Sequence, residues 1–514
     1  QFWDLDEIGN YSWAYFDSAK SHALRYPNHA ITGFSPLLEN IHGFSRREVL
    51  ALMLRDLVST IDDGKWKSDN AKLVFSVEPF MTREERFAIV EAVGLMNGTL
   101  TSIIDYPTAA AELYALERRS SYLKKVKKVA FIDIGAKNSW AAIYKFEPTK
   151  KPTITELSLS TRRNFGGNNI DLLIANLLID AYCTKFYPNN KESFNLSSKP
   201  SIYARFVEEG RKAKELLSIN KDIEIRMEDV EEDKTLVYSL SRDYLNELLT
   251  DFRKELVNLY NEVLQKANFS DKDLDSIELI GGVTRIPSLK DALANATSLN
   301  KVDRTMNSEE AIALGAGYVG ATHSSLFIVK DVNMKSFANC NVSFYHNNTE
   351  YKIFNETSYL DETFKYTFIV GDVCNMSDVH EVTTVHNNTK VNKKKDKKKK
   401  KDKEEEPVEN ITVTTDYYYH TNIFSIYADD RPITSFYIQI PNNTKSTAKV
   451  SITIGFSDWS IPNLTQIRLR SSLYDLSHAH FTQPEWSLSE EQFNKSLAVI
   501  KKMDDISFVA TLPR

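Results

Sequence analysis

The sequence predicts a mixed α/β fold over residues 1–325 and an all-β domain over residues 333–480. Three observations point there. An apolar strand, Val129-Ala130-Phe131-Ile132-Asp133-Ile134, runs into Gly135, and a second, Ile277-Glu278-Leu279-Ile280, runs into Gly281-Gly282. A third glycine pair, Gly166-Gly167, lies between them. From Asn333 onward the composition shifts to Thr, Tyr, Val and Ile in alternating patterns. Glycine at a strand end lets the backbone approach a phosphate or nucleoside closely, because no Cβ stands in the way. One such turn is ordinary turn chemistry. The repeated pattern points to a nucleotide cleft built from two related lobes.

A chain of 514 residues has room for more than one core. Its 42% hydrophobic and 26% charged content is that of a globular protein. A net charge of -6 gives no reason to expect nucleic acid as a partner. No apolar run is long enough to span a bilayer, so no membrane segment is expected. The chain starts at Gln1 with neither Met nor signal peptide, which predicts a processed or incomplete N-terminus. Fourteen N-x-S/T sequons occur, from Asn10 to Asn494, and they are densest between Asn341 and Asn463. Chance would give roughly five or six. The excess favours the secretory pathway, although an Asn-rich genome would produce it too. Cys183, Cys340 and Cys374 are too few for a disulfide framework and have no metal-ligand spacing. Cys340 and Cys374 are read either as a pair in an oxidising lumen or as two buried thiols.

Apolar residues three and four apart predict helices at Arg46–Ser59 and Arg83–Gly94. They place the longest helix at Tyr244–Ala267, where Leu245, Leu248, Leu249, Phe252, Leu256, Leu259 and Val263 form one stripe. A stripe of this kind is core packing. The short apolar segment Leu326-Phe327-Ile328-Val329 leads into the β-region. There Val450, Ile452, Ile454 and Phe456 alternate with Ser451, Thr453 and Gly455, as in a half-buried strand. Within the β-region, Lys393 to Lys403 is followed by Glu404-Glu405-Glu406. Like charges this dense repel and bury nothing, so residues 390–409 read as a disordered loop between strands. Composition alone also allows a nuclear-localisation or nucleic-acid reading of the run, which the flanking sequons weigh against. Finally, Ser489-Glu490-Glu491-Gln492 is a capping box opening a helix with Phe493, Leu497 and Ile500 on one face.

Six segments then occur in order: Asp17-Ser18-Ala19-Lys20 with Pro27, Tyr106-Pro107-Thr108-Ala109-Ala110-Ala111, Asp133-Ile134-Gly135, Phe165-Gly166-Gly167-Asn168-Asn169-Ile170-Asp171, Gly281-Gly282-Val283-Thr284-Arg285-Ile286-Pro287, and Asn307-Ser308-Glu309-Glu310-Ala311 with Gly315-Ala316. Together they resemble successive motifs of the seventy-kilodalton heat-shock chaperone family, from an early helix through the second phosphate loop to the adenosine motif. The resemblance implies an actin-like, two-lobed ATPase domain over residues 1–325 and an apolar linker over 326–332. It further implies a β-sandwich for extended polypeptide over 333–480 and the start of a helical lid over 485–514. ATP or ADP, with magnesium, is the implied cofactor. The implied nucleotide contacts are Asp133, Gly135, Ala136, Lys137, Gly166, Gly167, Lys214, Ser218, Gly281, Gly282, Arg285 and Glu309. The charged insertion and the sequons are similar to those of the large endoplasmic-reticulum branch, the glucose-regulated and hypoxia-upregulated proteins.

The chain departs from that family where phosphoryl transfer is decided, around the γ-phosphate, its metal and the attacking water. The family's catalytic Glu aligns with Tyr106, its phosphate-loop Thr with Asn138, and the metal-side Asp two residues later with Trp140. Its catalytic Lys aligns with Ser35. Asp133 survives at the head of the loop, while two loop glycines become Ala136 and Lys137. Ala136 and Lys137 are read as crowding the phosphate approach, with Lys137 alternatively neutralising phosphate charge or standing solvated. The first phosphate loop has no counterpart, being either lost or upstream of Gln1. Glu78-Pro79 stands where the family has Pro and a small residue. On the adenosine side, Lys214 and Ser218 match family contacts, Arg285 matches a residue that stacks on the adenine, and Arg211 replaces a family Glu.

No catalytic residue is therefore assigned. The expectation is an exchange factor for a conventional chaperone of the same compartment, the endoplasmic-reticulum lumen. It would also hold unfolded polypeptide and hydrolyse little or no ATP. The alternatives are an active ATP-hydrolysing chaperone and a non-catalytic structural subunit that keeps the fold.

Overall fold

The computed structural model describes residues 46–59, 72–191, 194, 196–299, 302–324, 328–330, 332–389, 409–482, 484 and 487–505. The early segment from Asp17 to Pro27, Ser35, the linker residues Leu326, Phe327 and Asp331, and the charged run at 390–408 lie outside the described residues.

Helix α1 (Arg46–Ser59), strand β1 (Lys72–Val77), helix α2 (Arg83–Leu95) and strand β2 (Thr99–Asp105) form one small layer. β1 and β2 pair in parallel and end together, with Val77 opposite Asp105. Leu50, Ala51 and Leu54 of α1 pack on Ile89, Ala92 and Val93 of α2 and on Phe75 and Val77. α2 starts where Thr82 and Glu85 close a reciprocal cap: Thr82 N–H donates to Glu85 Oε2 at 2.8 Å, and Glu85 N–H to Thr82 Oγ1 at 3.3 Å. Both helices fall where apolar spacing placed them.

Helix α3 (Tyr106–Glu117) leads into the central sheet. This sheet has β3 (Lys127–Ile134), β4 (Ser139–Glu147), β5 (Thr153–Arg162), β8 (Ser276–Ile280), β9 (Val302–Asp303) and β10 (Asn333–Lys335), in the order β10-β5-β4-β3-β8-β9. β3 is buried on both faces from Val129 to Ile134, which explains its unbroken apolar run. Ala130, Ile132 and Ile134 face helices α4 (Gly167–Phe186), α5 (Pro200–Ile219) and α7 (Thr250–Lys266). Val129 and Phe131 face α3 and helix α9 (Ala311–Thr322). α3 and α9 cross so closely that a Cβ on Gly315 would lie 1.9 Å from the Ala109 carbonyl oxygen. Only glycine permits that crossing. A two-stranded ribbon, β6 (Asp222–Glu231) with β7 (Lys234–Ser241), and helix α8 (Pro287–Ala296) complete this part.

The expected helix Tyr244–Ala267 is two helices. α6 (Arg242–Leu248), capped by Ser241, ends at Leu249, and α7 begins at Thr250. Leu245, Leu249, Leu256, Leu259 and Val263 are nonetheless buried. Apolar period reports which face packs, and the break leaves that face intact. The longest helices among the described residues are instead α4 and α5, of 20 residues each.

The β-region is a sandwich. One sheet runs β12 (Thr349–Phe354), β11 (Val342–His346), β16 (Phe424–Ala428), β17 (Arg431–Pro441), β15 (Glu409–His420), β14 (His380–Thr389), with β21 (Ala479–Thr482) added on β17. The other runs β13 (Phe364–Ile369), β18 (Lys449–Phe456), β19 (Pro462–Leu469), β20 (Ser472–Tyr474). Phe344, Phe424 and Phe436 from the first meet Val450, Ile452, Ile454 and Ile467 from the second. Cys340 and Cys374 are buried free thiols, so the paired reading does not hold. The domain boundary also moves. Residues 333–335, expected to open the sandwich, pair in parallel with β5 and extend the central sheet. A strand's partner is a tertiary choice that composition does not reveal.

The sandwich packs directly on the β1–β2 layer. Ile103 N–H and Ser102 Oγ donate to the Asp458 carbonyl at 3.1 and 2.9 Å. Asn339 Nδ2 donates to Asp105 Oδ2 at 2.7 Å, and Arg83 reaches the Ala338 carbonyl. Trp459, Ile433 and Ile461 pack on Phe87 and Val90. Helix α10 (Glu490–Asp505) opens with the expected cap, Ser489 N–H donating to Gln492 Oε1 at 2.9 Å. Its Phe493, Leu497 and Ile500 lie on α1 and α2.

Candidate functional site

The three glycine turns converge. Each leaves the C-terminal end of a strand or opens a helix, where open α/β sheets place their ligands. β3 and β8 are parallel neighbours with Asp133 opposite Ile280, so the turns at Gly135 and Gly281 emerge side by side. A Cβ on Gly281 would lie 2.2 Å from Asp133 Oδ1 and 2.3 Å from the Ile134 carbonyl oxygen, and the residue has φ 81°. Glycine is required there on both counts. Gly281 N–H donates to the Ser308 carbonyl at 2.9 Å, which anchors the segment carrying Glu309. Glu309 in turn pairs with Arg285 at 3.0 Å, both half-exposed at the mouth.

Gly166 and Gly167 sit against the Gly135-Ala136 loop. Gly167 N–H donates to the Gly135 carbonyl at 2.9 Å and Asn168 N–H to the Ala136 carbonyl at 2.7 Å. Two amides at the start of α4, a natural phosphate cradle, are thus occupied by the loop itself. A Cβ on Gly167 would meet Lys214 Nζ at 2.9 Å, which places Lys214 over this junction. Lys214 is held by Asp171 at 2.7 Å, and burial outweighs the lysine in raising the Asp171 pKa. Ser218 lies one turn further along α5, its hydroxyl donating to the Glu215 carbonyl at 2.6 Å. Arg211 is engaged by Glu208 and Glu215 on the outer side of that helix.

Asp133, Gly135, Ala136, Gly166, Gly167, Lys214, Gly281, Gly282, Arg285 and Glu309 therefore share one locus, through the contacts just given and a Cβ-to-carboxylate approach of 3.9 Å at Gly282. Lys137 is half-buried, and its charge lowers the pKa of Glu78. The Ser218 hydroxyl is turned onto its own helix, at the Glu215 carbonyl.

At the bottom of this locus the side chains are closed in. Trp140 is 1% exposed and is the cross-strand partner of Asp133. Asn138 uses both ends of its amide: Nδ2 donates to Glu78 Oε1 at 3.1 Å and Oδ1 accepts from Asn164 N–H at 2.9 Å. Burial pushes the Glu78 carboxyl up to about 8 and that of Asp133 up to about 7. The Trp140 indole N–H pulls Asp133 the other way. The Tyr106 phenol is driven up by burial and then by the charges of Glu78 and Asp133. Glu78 is the residue the sequence reading passed over. Its signal was a carboxylate directly at a strand end, read there only as a displaced proline.

The residues fit a nucleotide unevenly. The glycine turns, Lys214 and Arg285 suit the adenosine end. On the phosphate side, Gly167 and Asn168 donate to protein, Glu78 Oε2 is buried without a hydrogen-bond partner, and the Asp133 carboxylate has the Trp140 indole N–H acting on it. That leaves acidic oxygens suited to a divalent cation and few donors for a transferring phosphoryl group.

Residues 35–363, more than half of the chain, match the Hsp70 protein family model. The fold defines an Hsp70-type ATPase domain followed by a β-domain. The chain belongs to the Hsp70 family. It is 28% identical over 305 residues to a heat shock protein homolog of Saccharomyces cerevisiae, covering 59% of this chain and 42% of that protein. It is 24% identical to heat shock protein 70 homolog lhs1 of Schizosaccharomyces pombe, covering 60% and 36%. The same identity holds for human hypoxia up-regulated protein 1, covering 60% and 32%. The match thus spans less than half the length of these relatives. No helix among the described residues is long and apolar enough to cross a membrane.

Proposed function

We propose that this chain is a nucleotide-binding chaperone component that hydrolyses ATP slowly at most, opens the nucleotide cleft of a conventional Hsp70, and holds unfolded polypeptide on its sandwich. One observation carries the first part. The positions aligned with the family's catalytic groups are Tyr106, Asn138 and Trp140, all buried and engaged in packing or in an amide network. None of them is a carboxylate, and burial drives the Tyr106 phenol up, away from serving as a base near neutral pH. Removing one well-placed catalytic group commonly costs on the order of 100-fold or more, and such groups act together, so their losses do not add.

Exchange needs only a surface that prefers the partner's open cleft, since a ligand shifts an equilibrium by its differential affinity. The sequons support the endoplasmic-reticulum lumen as the compartment. Ten of the fourteen sequon asparagines are described with their side chains, Asn97, Asn268, Asn295, Asn341, Asn347, Asn355, Asn375, Asn442, Asn463 and Asn494, and each is exposed.

Stopped-flow release of labelled ADP from a conventional Hsp70, with and without this chain, tests the proposal. Faster release with negligible turnover by the chain alone is expected. An unchanged release rate removes the exchange function, and robust turnover favours the active-ATPase reading. Suppression of client aggregation is expected to survive deletion of residues 392–406; its loss would assign holding to the charged run.

A further inference from the structure

We propose that His380, His420 and His480 form an acid-sensitive latch, which holds the β14–β15 hairpin on the sandwich at neutral pH and releases it in mild acid. The proposal does not depend on the nucleotide reading above.

Strand alternation puts the three rings on one face. Tyr419 of β15 and Ile438 and Ile440 of β17 pack into the core, so His420, Tyr437 and Gln439 lie on the opposite side of the sheet. His480 of β21 is the cross-strand partner of Tyr437, and His380 of β14 is that of Tyr418. Both therefore share that side. The rings form a continuous stack across β14, β15, β17 and β21. His380 lies flat on His420, with centroids 3.7 Å apart and planes 2° from parallel. His420 meets Tyr437 at 4.6 Å, and Tyr437 meets His480 at 5.0 Å.

The stack stands where the hairpin joins the rest of the sheet. β15 has 12 residues, yet it pairs with β17 through Tyr418, Tyr419 and His420 alone. Around this joint, Asn442 N–H donates to the Tyr417 carbonyl at 3.0 Å, and Cys374 bridges to Thr421. Most of β15 is paired only with β14. The two strands bracket the charged run at 390–408, so loosening the joint frees both strands that lead into it.

Two protons do not fit in this stack. Imidazolium rings stacked at 3.7 Å repel, and His420 Nε2 is enclosed without a hydrogen-bond partner. A neutral ring leaves at most an unused acceptor there, whereas a protonated ring buries a charged N–H with nothing to accept it. Asp378 lies 3.5 Å from His380 Nε2, so the first proton has a partner at His380 and the second has none. Burial first, then His380 and His480, hold His420 below the ordinary histidine value of 6.5, with Asp378 pulling it up. On the far side of His480 lies His478, which burial lowers most, with Asp475 and Asp416 raising it and His480 lowering it. A histidine depressed by folding contributes its stability fully above the unfolded value of 6.5, and that stability is lost as pH falls through the folded value. The weakly attached hairpin yields before the sandwich core.

The test is hydrogen exchange of the full chain at pH 7.5 and 5.5, with rates corrected for the intrinsic pH dependence of amide exchange. Residues 409–420 are expected to lose protection by about tenfold or more at the lower pH, while β18 and β19 keep theirs. His420→Phe keeps an aromatic ring in the stack and cannot ionise. It is expected to leave the hairpin protected at both pH values. Protection independent of pH in the wild type overturns the proposal, as does equal loss across the whole sandwich. A pH response in His420→Phe as large as in the wild type overturns it too. Should that variant fail to fold, NMR of carbon-13-labelled histidine rings in the wild type decides. Two rings that titrate anticooperatively below the ordinary histidine value support the latch, and independent titrations near that value overturn it.

Discussion

Glu156 lies buried on the central sheet where the sandwich begins, accepting from Phe337 N–H at 2.9 Å. Burial raises its carboxyl from the ordinary 4.5 to about 8, with the Phe337 amide pulling down. Between those values the folded chain holds a proton that the unfolded chain releases. Stability from this group is therefore full below about pH 4.5 and is lost as pH rises toward 8. Glu156→Gln keeps an oxygen for Phe337 and cannot ionise. It is expected to raise the unfolding temperature at pH 8, to change it little at pH 5, and to flatten the profile between. Equal shifts at both pH values would mean that ionisation is not the cause. Glu78 and Asp133 are raised in the same direction, so some slope remains in the variant. Neither Glu78 nor Glu156 was legible as special in the sequence, where a charge in a strand reads as an exposed position. Asp133 and the glycines were legible because turn chemistry is local.

At the scale of elements, α10 is the informative case. Its cap and apolar face were readable, because capping and period are properties of a few consecutive residues. What it packs on was not. Ile500 is 3% exposed within the core of α1 and α2, Arg55 Nη1 donates to the Ile500 carbonyl at 3.2 Å, and Leu488 N–H donates to Glu91 Oε1 at 2.7 Å. Ile500→Ala removes buried apolar surface, a change that ordinarily costs about 2–5 kcal/mol. The helix has the option of detaching, so the loss is expected first as local opening. Hydrogen exchange of residues 490–505 should accelerate while the central sheet stays protected. Uniform acceleration would mean that α10 is integral to the whole fold.

Across the whole molecule, the sandwich is joined to the first layer by backbone and side-chain hydrogen bonds and one apolar cluster around Trp459. Anchors of this kind carry most of an interface's energy. Trp459→Ala is therefore expected to free the sandwich without unfolding it. Small-angle scattering should show a larger radius of gyration, and limited proteolysis should cut near residues 324–332 faster. A compact, resistant variant would place the anchor in the hydrogen bonds to Asp458 and Asp105 instead.

Much of this protein was determined by its sequence alone. The class of each half, the three glycine turns, α1, α2 and the cap of α10, and the family itself all rest on short-range patterns. Tertiary structure alone decided the rest: that Asn333–Lys335 extends the central sheet, that the stripe at 244–267 breaks at Leu249, that Cys340 and Cys374 stay unpaired, and that the charge of Asp133 acts on Glu78. The physical reason is common to all four. Period and turn chemistry are set by neighbours along the chain, whereas strand partners, burial and the pairing of charges are set by residues far away in sequence and close in space.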